Sequence, residues 1–368
     1  MENQLIYLLA LTFIQSIGAV TARKLIAYAG SPEAVLKENK DQLRKIPGIG
    51  NILSSRVGSS DLLKKAEKEV NFCLKRNINI LSYYSTEFPA RLKQCPDAPL
   101  VLFYKGEYVF NSPKMISIVG TRRASNYGND LVQRVIKDLS VSHPDTVVVS
   151  GLAYGIDYQA HYAALQNGLK TIAVLGHGLH TIYPSSNSGL AIKIIEQGCL
   201  VSDFTSDMKP ERNNFIKRNR IIAGLSDATL VAESGIRGGA LITADIAGSY
   251  NRDVFAFPGR VDDEMSKGCN NLIKANKANM VENYEDIQYF MDWDPGNQKA
   301  TARQKLLFTS LSPEEEMIVN LLKEENTISL NALSIRLDWP VNKVSSCLLN
   351  LEFEGLIRVL PGNFYKLN

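Results

Sequence analysis

At 368 residues the chain is long for one domain and can bury a large core without disulfides. Its net charge of +3 divides unevenly: 15 Lys+Arg against 10 Asp+Glu over residues 1–112, 18 against 18 over 113–290, 3 against 2 over 291–312, and 5 against 8 over 313–368. That balance excludes a protein that binds nucleic acid over its whole surface. The five scattered cysteines, with no CxxC or Cys/His cluster, point away from structural zinc and toward a reducing cytoplasm.

In chain order, the apolar stretch Leu5 to Phe13 follows Glu2 with no basic segment before it, which predicts an amphipathic helix rather than a signal peptide or membrane span. Gly30-Ser31-Pro32-Glu33 reads as a helix stop, an N-cap and a first-turn proline. Two segments, Ile14 to Leu25 and Leu43 to Val57, each place a glycine-containing bend between short helices. They resemble the helix-hairpin-helix repeat, whose bend either points backbone N–H groups at a DNA phosphate or serves only for packing. A helix is predicted over Asp61–Asn77 and a strand over Ile78–Tyr83. Three prolines then make Thr86 to Gly106 an extended bridge.

Strands at 115–119, 146–150, 171–175, 199–204, 228–233 and 253–257, with helices between them, predict an α/β, doubly wound, Rossmann-like parallel sheet. Pro295, Gly296 and Asn297 mark a linker. Beyond it Ser312-Pro313-Glu314-Glu315 caps the first of three short helices, and Ile357–Leu360 with Phe364–Leu367 forms a hairpin, a winged-helix pattern. The expected domains are a helical, helix-hairpin-helix (SAM-like) part over 1–77, a Rossmann-like part over 78–290, a linker over 291–310 and a winged helix over 311–368.

A parallel sheet places every strand end on one rim, where ligands bind; here that rim would carry Arg122, Arg123, Arg218 and Arg220 and a supply of free backbone N–H groups. The first central strand ends in Gly120, Thr121, Arg122 and Arg123, before a helix that begins near Tyr127. Ser150 to Asp157 also joins strand to helix. Gly151, Ala153 and Gly155 let backbone approach a bound group, and Asp157 complements the helix dipole. His161, one turn on, reads best as a structural residue. Asn213 to Ala223 interleaves Phe215, Lys217, Arg218, Asn219 and Arg220. Arginines there can grip phosphate, and Phe215 can stack on an unpaired base. Alternatively Phe215 belongs to the core and one arginine pairs with Glu233 or Asp157. Glu233 to Ala244 adds a loop through Gly238 and Gly239. The nearest approach to a dinucleotide fingerprint, Gly176 to Thr181, has the wrong last residue and runs into Tyr183-Pro184, so no nicotinamide cofactor is expected, nor any metal.

These segments, in this order and with Phe88 to Leu92 and Leu102 to Gly106, resemble the DNA-processing protein DprA (Smf) family over nearly the whole chain. The family's Gly-Ser/Thr-Arg motif falls on Gly120, Thr121 and Arg122. Its Phe-x-x-Arg-Asn-Arg segment falls on Phe215, Arg218, Asn219 and Arg220, with Lys217 at a variable position. Its Gly-Gly-Ser/Thr-Leu-Ile-Thr reads Gly238 to Thr243, with Ala240 lacking the hydroxyl. The resemblance implies a non-enzymatic, cytoplasmic single-stranded-DNA binder that protects incoming strands in natural transformation and helps load the recombinase RecA. It also implies a homodimer through the C-terminal part of the middle domain, Asn270 to Met280 and Tyr284 to Met291.

Two other classes compete with this reading. The phosphoribohydrolase-like branch of Rossmann folds uses a Pro-Gly-Gly-x-Gly-Thr-x-x-Glu loop with a catalytic Glu. In this chain no carboxylate follows Gly238-Gly239 until Asp245, and acid–base chemistry needs its acid. A winged-helix transcription regulator would read DNA through Pro340 to Glu354, where Lys343 is the one cation against Glu352 and Glu354.

Overall fold

The structure, a computed structural model, describes residues 2–57, 60–293, 311–325, 327–353, 356–360 and 364–367. It divides into two compact units, Met1–Asp294 and Pro295–Asn368.

The first unit is built on a nine-stranded sheet: β1 (Asn79–Ser82), β2 (Val101–Gly106), β3 (Lys114–Gly120), β4 (Thr146–Ser150), β5 (Lys170–Val174), β6 (Cys199–Ser202), β7 (Ala228–Glu233), β8 (Asp253–Ala256) and β9 (Asn279–Met280). Their spatial order is β1-β2-β6-β5-β4-β3-β7-β8-β9. From β6 to β9 every pair is parallel. The sequence of β3 shows why it lies inside. Met115 and Val119 pack into the core on one face, Ile116 and Ile118 into the core on the other, and all four are buried. The two-residue side-chain period sends alternate residues to opposite faces, so a strand apolar on both must be covered on both. Each such side chain contributes about 1.5–3 kcal/mol by its burial.

Two expectations need correction here. The sheet is not wholly parallel, because β2 runs antiparallel to both β1 and β6. Thr86 to Gly106 is not a plain extended bridge either. It holds a short helix, Ala90–Lys93, and then β2, which enters the sheet as a strand. Prolines broke the segment into pieces without preventing the apolar run at Leu100–Tyr104 from pairing. Arg91 anchors this piece: its Nε and Nη2 grip the two Asp227 carboxylate oxygens at 2.6 and 2.9 Å.

The front end is helical, with helices at Glu2–Thr12, Ala19–Ala29, Pro32–Lys37, Lys40–Arg44, Asn51–Arg56 and Ser60–Lys75. Gly18 and Gly50 are the N-caps after the two hairpin bends. This layer shares a core with the sheet, since Leu100, Val101 and Phe103 pack with Leu8, Leu25 and Leu43. Glu69, buried on the Ser60–Lys75 helix, also accepts the Ser206 N–H at 2.8 Å from the loop after β6.

The second unit has helices Pro313–Glu325, Leu330–Leu337 and Val341–Phe353 and a three-stranded sheet ordered β10-β12-β11 (Ile328–Ser329, Phe364–Leu367 and Ile357–Leu360). The predicted cap is there: Ser312 N–H donates to the Glu315 carboxylate at 2.9 Å, and Glu315 N–H returns to Ser312 Oγ at 3.3 Å. The extra strand β10 was not expected from the sequence. Of the linker expected over 291–310, Met291 and Trp293 pack on the core of the first unit, while 294–310 and the hairpin turn at 361–363 lie outside the described residues. Among the described residues no helix is long and apolar enough to cross a membrane, and no three His, Cys, Asp or Glu side chains converge as a metal site.

Candidate nucleic-acid interface

β3 is the point where the chain reverses its winding. From it the chain moves outward through β4, β5 and β6, then returns to β7 on the other flank and continues to β8 and β9. Open α/β sheets form their ligand crevice beside such a reversal, beyond the strand C-termini. The loops there are 121–125 after β3, 151–155 after β4, 175–187 after β5 and 234–238 after β7. The Arg212–Leu225 helix lies over their junction. Its Arg218 reaches the ends of β4 and β5, and Phe215 faces Gly176.

Arg122 and Arg123 are exposed on the first loop, and Lys217 is exposed on the helix. Among the described residues none of the three forms an ion pair. The Arg122 guanidinium lies 5.8 Å from the centre of the Phe215 ring, within cation–π range. Phe215 is half-buried. Its ring meets Tyr183, 45% exposed, at 5.6 Å between centroids. Behind it stands Gly176, where a Cβ would come within 2.8 Å of the Phe215 ring. The outcome is an aromatic surface edged by a free guanidinium, able to stack a flat ring and hold a phosphate together. Both sequence alternatives for Phe215 are thus partly realised: the ring packs against Gly176 and Tyr183 yet is only half-buried.

Arg218 and Arg220 belong elsewhere, and the rim placement of both is corrected. Arg218 is 5% exposed. Its Nη1 donates to the carbonyls of Gly151, at 2.7 Å, and Val174. Asp157 is buried beside it and opposes the loss of hydration; burial alone would bring the guanidinium lower than the value of about 10 it retains. Arg218 therefore stays charged at neutral pH. Burial also raises the Asp157 carboxyl above its ordinary value, and Arg218 pulls it back. Gly151 is glycine because a Cβ there would overlap the Arg218 guanidinium; it makes room for the protein's own cation, not for a ligand. Arg220, one residue beyond Asn219, turns to Asp203 and the Asp97 carbonyl. Helical geometry explains the division: residues 215, 218 and 220 leave the axis in different directions.

Part of the expected supply of free backbone N–H groups is consumed inside the loops. Thr121 N–H donates to the Glu233 carbonyl (2.7 Å) and Arg123 N–H to Thr121 Oγ1 (3.1 Å). Ser125 N–H goes to the Glu233 carboxylate (2.9 Å) and Ala153 N–H to Asp157 (3.4 Å). Asp157 thus serves its own loop as well as Arg218. Gly120 packs on Ile156, and Gly155, at φ +71°, lies against the Thr121 and Arg122 backbone, so the first two rim loops are wedged together. Gly238 N–H bonds the Gly235 carbonyl, whereas Gly239 opens the Gly239–Ser249 helix with clear space around it. Asn219 Nδ2 ties the two helices by donating to the Gly239 carbonyl at 3.4 Å. Ala240 is buried in the core.

Sequence reasoning missed Tyr183 as part of the aromatic surface and Glu233 as the loop anchor. A Tyr before a Pro in an irregular loop carries no periodic signal. Glu233 was visible only as an arginine's alternative partner. His161 is structural, as its position suggested. Thr171 Oγ1 donates to the Val148 carbonyl at 2.7 Å, so His161 Nδ1–H donates to Thr171 Oγ1 at 2.7 Å, and burial lowers the imidazole to about pKa 3.

The architecture is that of a Rossmann-like domain with a cationic, aromatic rim, preceded by helical hairpins and followed by a winged helix. Comparison with known proteins gives the same division. The family profile of DNA recombination-mediator protein A matches residues 79–292, that of the DprA winged helix domain residues 303–363, and that of the SAM-like helix-hairpin-helix tandem residues 8–57. Protein Smf of Escherichia coli is 34% identical over 83% of this chain and 81% of its own length. DNA processing protein DprA of Streptococcus pneumoniae is 42% identical over 54% of this chain and 70% of its own. The solved structure of that S. pneumoniae protein superposes with a TM-score of 0.67 at 34% identity, covering 78% of this chain and 98% of that one. A structure of DNA processing protein A from Helicobacter pylori, described for its single-stranded-DNA binding mode, superposes with a TM-score of 0.53 at 26% identity, covering 59% of this chain and 96% of that one. The chain belongs to the DprA (Smf) family of DNA recombination mediators.

Proposed function

We propose that the rim binds single-stranded DNA without turning it over, and that the protein protects the strand and helps load RecA on it during natural transformation, in the cytoplasm. The observation that carries the DNA reading is the unpaired Arg122 guanidinium set against the half-open Phe215 ring at the sheet's reversal point. Phosphates engage Arg122, Arg123 and Lys217, and a base stacks on Phe215. Gly120, Thr121, Gly151, Ala153, Arg218, Asn219, Gly238 and Gly239 shape the loops, and Arg220 braces the helix. The H. pylori relative's single-stranded-DNA binding supports this reading. The RecA and transformation parts rest on family resemblance.

Dimerisation through the C-terminal part of the same domain belongs to this proposal. Tyr289, 81% exposed, and the exposed Phe290 and Met280 supply an apolar surface there, while Leu272 and Ile287 are core. Two rims on one particle would hold one strand by effective concentration. The deciding measurement is affinity for oligothymidine against matched duplex over a salt titration. A strong single-strand preference that weakens with salt is expected. Equal affinity for duplex would overturn the reading.

A further inference from the structure

The Ile156–Gln166 helix follows directly on the rim loop 151–155. Its inward face is fully used, since Ile156, Asp157, Gln159, Ala160, His161, Ala163 and Ala164 are buried. Its outward face carries two tyrosines one turn apart, Tyr158 and Tyr162, 38% and 40% exposed. Their rings stack with centroids 6.1 Å apart and planes within 9°. Tyr154, 49% exposed, stands in the loop ahead of them, and its hydroxyl accepts a hydrogen bond from Ser186 Oγ at 3.3 Å. Single exposed aromatics are ordinary, but three in sequence make a patch.

Two observations say what covers it. The patch is continuous with the rim: Gly155, beside Tyr154, lies against the backbone of Thr121 and Arg122, and Ser186 belongs to the loop that carries Tyr183. The helix also bears no outward carboxylate, because its only acid, Asp157, is buried beneath it. An aromatic surface without negative charge, starting at a phosphate-binding edge, suits unpaired bases.

We infer that a single strand leaving the rim continues along the Ile156–Gln166 helix, with its bases stacked on Tyr154, Tyr158 and Tyr162. This rests on the reading of the rim as a single-strand site and extends that site beyond Phe215. The contact is to base faces, so it tolerates any sequence and needs no further cation.

The test uses an oligothymidine of about 30 nucleotides, longer than the roughly 4–16 that one small single-strand-binding fold covers. A second strand keeps the same phosphates but has abasic sugars throughout. For the Tyr158→Ala/Tyr162→Ala variant we expect affinity for the thymidine strand to fall about tenfold. On the abasic strand it should match wild type. Tyr158→Phe/Tyr162→Phe should bind both strands as wild type does, since the ring and not the hydroxyl makes the contact. If the Ala variant binds thymidine normally while Arg122→Ala does not, the tyrosine track is wrong and the rim stands. An equal loss on both strands also overturns the track, because stacking requires bases. If Arg122→Ala binds as wild type, the rim reading fails and the track falls with it. Should the double variant unfold, Tyr162→Ala alone carries the same comparison.

Discussion

Arg122 and Arg218 are both arginines of the same motif set, yet the fold uses them in opposite ways. Arg122 ends a strand on an exposed loop with no carboxylate partner among the described residues. Arg218 is enclosed; its Nη1 donates to two strand-end carbonyls while its buried Nε has no hydrogen-bond partner among the described residues, and Asp157 is buried nearby. One cation is left exposed without an ion pair among the described residues. The other fastens the helix that carries Phe215 to the ends of β4 and β5. Counting arginines near a rim therefore overstates its capacity to bind phosphate, and the two kinds separate when stability and affinity are measured apart.

The largest effect should come from the buried cation. Arg218→Met removes a buried cation, leaves two carbonyls without their donor and takes an opposing charge from the neighbourhood of Asp157, a loss of about 3 kcal/mol in stability. Urea denaturation reads it directly. Arg218→Lys should not restore the wild-type value, because an ammonium cannot reproduce the fork of the guanidinium. A stable Arg218→Met protein that has lost only DNA affinity would mean that Arg218 is a ligand contact and would erase the distinction.

Arg122→Ala should do the reverse. Affinity for single strands should drop by about 1.5–3 kcal/mol, tenfold or more, as one charge-assisted phosphate contact is lost. Stability should change by less than about 1 kcal/mol, since among the described residues the exposed side chain has no ion pair and only the Phe215 ring beside it. Fluorescence anisotropy and thermal melting on the same preparation decide it. A fall in melting temperature large enough to explain the lost binding would place Arg122 with the scaffold.

Much of this was legible before any coordinates. The strand ends at Gly120, Ser150 and Glu233 were found because short apolar runs bounded by glycine have few other uses in a 368-residue chain. The winged-helix cap at Ser312 was readable for the same local reason. What could not be read was direction. Spacing shows that Lys217 and Arg220 are a turn apart, but not that one meets water and the other Asp203. Nor could it show that β2 would turn antiparallel, since strand pairing is set by contacts distant in sequence. Nor could spacing show which loop N–H groups are taken, because acceptors such as Glu233 and Asp157 come from other parts of the chain or from one turn onward.

A third difference between rim and scaffold is in pH. The His161 imidazole is buried and its folded pKa lies near 3, against an ordinary value of 6.5. Between these values the unfolded chain takes up a proton that the folded chain refuses. Stability then falls as pH drops from 6.5 toward 3, by at most about 1.4 kcal/mol per pH unit for one proton. Asp157 acts in the opposite sense. Its folded pKa is raised, so above 3.8 the folded chain holds the proton more readily and acidification favours the fold. The comparison that isolates the histidine is wild type against His161→Gln. Their stability difference should shrink as pH falls through that window. A constant difference would show that His161 is already protonated in the fold.

The smallest effect should follow from removing residues 305–368. The winged helix is a separate compact unit, and this part of the chain carries 5 Lys+Arg against 8 Asp+Glu over 313–368. Two of its cations are already engaged. Lys343, on the helix that would read duplex DNA, lies 3.6 Å from Glu314 and 4.4 Å from the centre of the Trp339 ring. Arg336 pairs with Glu325. A phosphate would have to displace these partners in a stretch, 313–368, where carboxylates outnumber cations, and binding to phosphate draws on cations it can reach. Truncation should therefore change single-strand affinity by no more than about twofold and leave its salt slope in place. A shallower slope in the truncated protein would show that the tail supplies phosphate contacts, and the contrast between free and engaged cations would then have to be drawn inside the winged helix as well as across the rim.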